Sequence, residues 1–243
     1  MQTHYAQAKI RMGTGMGKEI LVKLKEARSS IKIVTPYISA DFVDLLNEKA
    51  AQGLDVKLVL SSDVGKDKAD SIRKLISQQV HTDYRSVNAR SNGIALMNQL
   101  TWGLVILMGL GFYFSVSFWW LLIAGIPVLR NRAKIYHKMR TKTYSYSLNL
   151  NVKFPLSPFT NSYDAKYTLV HSKVFIIDDD LAYTGSVNFT KQAFFYNYET
   201  LIGIKDQRVL AALIEEFDHL FSGALPCLDA ATMARFAYRE PYN

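Results

Sequence analysis

Apolar residues recur at helical spacing over residues 17–29, where Ile20, Leu21, Leu24 and Ala27 share a face; a short β-rich run over 31–35 follows and is stopped by Pro36. A second helix is predicted from Ser39, a capping residue, with Phe42, Leu45, Leu46 and Lys49 on one side and Gly53 at its end, and residues 56–60 read as a buried strand. A third helix is expected from a cap in 61–63 to near Ile76, then a strand over 82–87. Strands and helices alternating at these lengths predict an α/β domain with a mixed, largely parallel sheet covered on both faces. Further on, residues 143–154 alternate as one strand with a wet face, Pro155 and Pro158 open a polar loop, and residues 167–177 read as the next strand. A turn at Asp179 and Asp180, short strands over 181–184 and 199–204, and an amphipathic helix over 207–221 complete the pattern.

The alternation is interrupted in the middle. None of residues 91–129 is charged. A bilayer core about 30 Å thick takes about 20 apolar residues per helical crossing, so the stretch is long for one span and slightly short for two generous ones. Gly109, Gly111, Ser115 and Ser117 lie near its middle, and a helical hairpin is predicted, with arms over roughly 94–110 and 114–129. If the strands before and after it belong to one sheet, both ends emerge on the same side of the membrane. Arg85 and Arg90 before the segment, and Arg130, Arg132, Lys134, Lys138, Arg140 and Lys142 after it, place that side in the cytoplasm. The expected organisation is therefore a domain begun by residues 1–90, interrupted by a transmembrane or re-entrant hairpin over 91–129, and completed by residues 130–243. The other reading of the insert is the core hairpin of a soluble protein.

Composition narrows the classes of function. A chain of 243 residues suits one α/β domain, and 29 Lys+Arg against 21 Asp+Glu, a net charge of +8, suits a partner carrying phosphates, either nucleic acid or an anionic membrane. The single Cys227 excludes an intrachain disulfide and a zinc-ligand pattern, and residues 1–11 lack the apolar core of a secretory signal. Gly13, Gly15, Gly17 and Lys18 lack the spacing of a phosphate-binding loop and read as a helix entry. The run Asp178 to Asp180 reads as a strand-ending turn, without the neighbouring ligand spacing of a cation site.

The chemistry is concentrated in HSKVFIIDDDLAYTGSVN, where His171, Lys173, Asp178, Gly185, Ser186 and Asn188 form H-x-K-x4-D-x6-G-S-x-N. This resembles the phospholipase D superfamily signature at every fixed position, a far more specific signal than a lone glycine motif. Transfer at a phosphodiester needs a nucleophile, neutralisation of the phosphoryl oxygens, and an acid for the leaving alcohol. His171 can attack phosphorus to give a phosphohistidine, while Lys173 and Asn188 hold the non-bridging oxygens, so no metal or cofactor is required. Gly185 and Ser186 shape the turn and add donors, and Asp178 is given a structural or electrostatic role.

The resemblance implies more. Glu199 is similar to the family's acidic residue that hydrogen-bonds the nucleophilic imidazole. The general acid is, in this family, a histidine from a second copy of the motif; His4, His81, His137 and His219 are not followed by a lysine two positions on. Single-motif members form homodimers with a shared site, and the segment GSVNFTK with Asn197 and Glu199 is similar to the small bacterial endonucleases of the superfamily and their mitochondrial relatives. The inserted hairpin departs from those members. Three readings of the whole chain remain: a membrane-embedded phosphodiesterase acting on membrane phospholipid by hydrolysis or phosphatidyl transfer, a membrane-tethered nuclease acting on nucleic acid, and a non-catalytic membrane scaffold.

Overall fold

The computed structural model describes residues 8–63, 69–113, 119–138, 140–157 and 169–240. The chain divides into two units, Met1–Gln78 with Tyr146–Tyr238, and Gln79–Ser145 with Arg239–Asn243.

The first unit is built on one eight-stranded sheet. Its strands are β1 (Ala8–Thr14), β2 (Ser30–Thr35), β3 (Asp55–Leu60), β6 (Asn151–Pro155), β7 (Val174–Ile177), β8 (Leu181–Gly185), β9 (Tyr198–Ile204) and β10 (Cys227–Leu228), in the order β1-β9-β8-β7-β2-β3-β6-β10. β4 (Ile76–Thr82) and β5 (Lys142–Leu148) form a separate two-stranded ribbon, along which the chain leaves this unit and returns to it. The sheet is mixed, as expected, but its parallel part is confined to β2–β3 and β3–β6, and the ladders from β1 to β2 and from β6 to β10 are antiparallel. The cause lies in the connections: α1 (Gly17–Glu26) and α2 (Ala40–Ala51) carry crossovers in the first half, whereas β7 and β8 are joined by the tight turn at Asp178–Asp180.

All six residues of β2 are buried, so this central strand is covered on both faces. Ile31 and Ile33 point to the larger core, with Ile20 and Leu24 of α1, Phe42 and Leu46 of α2, and Ile72 of α3 (Ala69–Leu75). Val34 points the other way, with Val59, Ile176 and the Leu210 and Phe217 stripe of α7 (Gln207–His219). In the larger core Phe42 stacks on Phe189 at 4.5 Å, and Phe175 meets Phe189 edge-on at 5.4 Å.

Four departures from the sequence reading have local causes. The strand expected over 82–87 lies earlier, as β4, because Asp83 caps a helix: its carboxylate accepts from the Arg85 N–H at 3.0 Å, and its carbonyl from Val87. The alternating run 143–154 is two strands, broken where Asn149 is tied to the end of α3 by bonds to the carbonyls of Leu75 (2.8 Å) and Lys74 (2.9 Å). Of residues 167–177, only Val174–Ile177 pair as a strand, and 169–173 are extended without a ladder; residues 158–168 lie outside the described residues. β1 carries no strand signal in the sequence because its polarity is inverted: Ile10 and Met12 face solvent, while Arg11 turns in to pair with Glu19. Too short to leave a periodic signal, α6 (Lys191–Phe195), α8 (Ala230–Ala234) and β10 were also missed.

In the second unit α4 (Tyr84–Tyr113) packs along α5 (Trp119–Lys138), with Gly93 close enough to Ile135 that an added Cβ would meet its side chain at 3.3 Å. The helices extend into the polar flanks on both sides of the uncharged stretch. The break expected between the arms, over 111–113, is instead helix, since α4 runs on through Tyr113; residues 114–118 lie outside the described residues. α4 is long and apolar enough to cross a membrane, with mean hydropathy 1.6 and none of that window buried within the protein.

Gly17 lets α1 lie directly on α6, since an added Cβ would sit 2.3 Å from Cγ of Phe194 and 2.5 Å from its Cα. Gly17→Ala is expected to destabilise the chain by about 1–3 kcal/mol, the usual cost of overpacking, read as a lower urea midpoint of the detergent-solubilised protein.

Candidate active site

The extended segment ahead of β7 carries His171 and Lys173. Lys173 is only 8% exposed, whereas His171 faces outward. The Lys173 ammonium donates to the His171 carbonyl at 2.6 Å and lies 2.9 Å from Nδ1 of its ring. Burial lowers the Lys173 pKa from its ordinary value, and the negative charge of Glu199 works against that shift. A poorly hydrated cation is thus placed behind an accessible imidazole.

β8 and β9 bring the second half of the site. Gly185 has φ +145 and lies so close to β9 that an added Cβ would be 2.1 Å from the Thr200 carbonyl oxygen. That approach seats Ser186, whose N–H donates to the Thr200 carbonyl at 3.0 Å and whose Oγ accepts from the Thr200 N–H at 3.0 Å. The Ser186 hydroxyl donates to Glu199, and the Asn197 amide donates to the other Glu199 oxygen at 3.2 Å. Asn188 follows between two buried anchors, Val187 and Phe189, with its Oδ1 buried and without a hydrogen-bond partner. Phe189 itself is the hinge of the aromatic cluster, and its N–H donates to Thr35 Oγ1 at the end of β2.

The structure therefore joins His171 to Lys173, and Ser186 to Glu199, with the Glu199 charge felt at Lys173. It adds Asn197 as the second holder of Glu199, a role that sequence reading did not assign; its signal is the period of two that puts residues 197 and 199 on one side of the chain. In the single chain the Glu199 carboxylate is engaged by Ser186 and Asn197, and among the described residues no hydrogen bond joins it to the His171 ring. His219, at the end of α7, is the other imidazole described in this unit, and no hydrogen bond joins it to His171.

Asp178 sits elsewhere, at the opposite end of β7. Its Oδ1 accepts from the N–H groups of Arg28 (3.0 Å), Ser29 (2.7 Å) and Ser30 (3.1 Å) and from Ser29 Oγ (2.9 Å), and its own N–H donates to the Ser30 carbonyl at 2.9 Å. Of the structural and electrostatic roles open to it, the geometry displays the structural one: it clamps the β7–β8 turn to the start of β2.

Residues 120–221 match the family described as cardiolipin synthase, PLD-like domain. Among solved structures, the chain is similar to NucT from Helicobacter pylori, at 15% identity over 91% of this chain and 98% of that one, with a TM-score of 0.48. It is also similar to Nuc from Salmonella typhimurium, described as a phospholipase D family member, at 16% identity over 91% and 99% with a TM-score of 0.46. To the phosphatidylserine synthase of Haemophilus influenzae the identity is 12%, over 91% of this chain and 39% of that one, with a TM-score of 0.43. No curated protein matches the sequence significantly.

Desolvation raises the Asp178 pKa, but the hydrogen bonds from Ser29, Arg28 and Ser30 outweigh it and leave the carboxyl below its ordinary value. Because the folded-state value lies below the unfolded one, near ~3.9, the clamp contributes fully above that pH and is lost as the pH falls through the folded value. Asp178→Asn is expected to cost about 2 kcal/mol at neutral pH, and unfolding curves taken from pH 6 to pH 3 should show a smaller loss of stability on acidification in the variant than in the wild type.

Proposed function

We propose that this chain, which carries a phospholipase D-like domain over residues 120–221, is a membrane-embedded phosphodiesterase acting on phospholipids. His171 attacks phosphorus and forms a P–N bond as the P–O bond to the leaving alcohol breaks; the alcohol takes its proton from His171 of a second copy of the chain. Water or another alcohol then gives a proton back to that second histidine and attacks phosphorus, breaking the P–N bond and releasing the hydrolysed or transferred phosphatidyl product. Lys173 and Asn188 hold the non-bridging oxygens, and Ser186 and Asn197 keep Glu199 in place beside Lys173.

The reading rests on a complete signature whose His171 is exposed and whose Lys173 is buried behind it. A single chain supplies one such imidazole, which is why two copies are invoked. The lipid substrate is favoured by α4, whose long apolar window has no part covered by the protein and would hold the domain at a bilayer with its catalytic side in the cytoplasm. The net charge of +8 favours a second reading, a membrane-tethered nuclease in which the hairpin is only an anchor.

Purified protein and its His171→Asn variant, with divalent metal chelated, are to be compared on mixed phospholipid vesicles and on single- and double-stranded nucleic acid. Headgroup release or a new phosphatidyl ester is expected, reduced about 10³-fold or more in the variant; His171-dependent strand cleavage with untouched lipid would replace this reading by the nuclease. Mixed dimers with one His171→Asn subunit should lose most turnover, and full activity in them would refute the shared site.

A further inference from the structure

Away from the signature residues, the second unit holds a cleft of about 320 Å³ between its two helices, lined by Asn98, Thr101, Trp102 and Val105 of α4 and by Arg132 of α5. The four α4 positions follow the i, i+3, i+4, i+7 spacing of one helix face, so the lining is a continuous stripe. Trp102 is 68% exposed on it. Among the described residues neither the Arg132 guanidinium nor the Asn98 amide has a side-chain partner, while the Thr101 hydroxyl is engaged, donating to the Met97 carbonyl at 2.7 Å.

The charge has no counterpart within the hairpin. No Asp or Glu occurs between Asp83 and Asp164, so neither helix supplies a carboxylate to Arg132. Arg132 is exposed and has no acidic neighbour on either helix, and a planar guanidinium lining one cleft with an amide donor suits the oxygens of a phosphate. The apolar lining selects the form in which that phosphate arrives: Val105 and the Trp102 ring continue the cleft along a helix face fit for acyl chains, as in basic pockets between membrane helices that take lipid headgroups.

We propose that this cleft binds the headgroup of an anionic membrane phospholipid, its phosphate between Arg132 and Asn98 and its glycerol and upper chains against Trp102 and Val105. The site is separate from the one that carries His171, and it rests on the membrane reading of the hairpin.

The test uses the full chain carrying His171→Asn, so that lipid is not consumed, and Trp119→Phe with Trp120→Phe, so that Trp102 is the fluorophore. The protein is reconstituted in phosphatidylcholine vesicles containing a minority of phosphatidylglycerol, with bromine placed on one lipid or the other, and its association is checked first by flotation. Brominated phosphatidylglycerol is expected to quench Trp102 beyond its bulk share, corresponding to about fivefold local enrichment, and Arg132→Gln should abolish the excess. Lys134→Gln, a change of the same charge one turn-fraction away on α5, should leave it intact. Equal loss in both variants would reduce the effect to general surface charge and overturn the cleft, as would equal quenching by the two lipids in the parent protein. Suppression of the excess by inorganic phosphate would assign the cleft to a free anion instead of a lipid. Failure of the protein to float would remove the membrane reading and this site with it, whereas flotation without selective quenching would remove this site alone.

Discussion

The placement of the chemistry depends on one carboxylate that takes no visible part in it. Asp178 gathers three consecutive backbone N–H groups at the start of β2, and in doing so fixes how far along β2 the signature strand β7 lies. Strand pairing allows slips in steps of residues, and a slip of one would turn every side chain of β7 to the other face. With the clamp in place Val34 stands opposite Val174, and the residues just ahead of Val174, His171 and Lys173, emerge beyond the sheet at the same end as Thr35 and Phe189. A signature residue can thus bear on the placement of a candidate site from the far end of a strand.

The site's own character follows from differential burial. Lys173 and Glu199 are drawn into the protein, one at each side of the β7–β9 end of the sheet, while His171 is left accessible. Hydrogen bonds from Ser186 and Asn197 orient the carboxylate, and the aromatic packing of Phe189 on Phe42 and Phe175 gives Asn188 a rigid base. Packing and electrostatics here are one arrangement: the same tight approach of Gly185 to Thr200 that closes the β8–β9 ladder seats Ser186 on Glu199.

Much of this was legible before any coordinates. Helical spacing located α1, α2 and α7, and short β-rich runs located β2 and β3, because each of these elements buries a face in its own unit and its pattern is set by that burial. The long uncharged stretch was legible as paired helices for the opposite reason, having no charged face at all. What stayed hidden was decided by single tertiary contacts. Asn149 splits a run that alternates perfectly, Asp83 converts an expected strand into a helix start, and the outward Ile10 and Met12 of β1 disguise a paired edge strand. Within the site, residue identities were readable from spacing, and the period of two sets Asn197 on the side of Glu199, but the bond between them depends on the backbone path at the entry to β9.

The hairpin enters the chain between β4 and β5, a ribbon that lies outside the eight-stranded sheet. Two antiparallel strands can be closed by a turn of any length, and lengthening such a turn adds only slowly to the entropy of closure. Everything between Asp83 and Thr141 can therefore vary without touching a ladder of the main sheet or a residue of the signature. For a lineage of such chains, this makes the helical pair a modular trait, one that can be acquired, exchanged or discarded at a single splice point while the eight-stranded scaffold stays as it was.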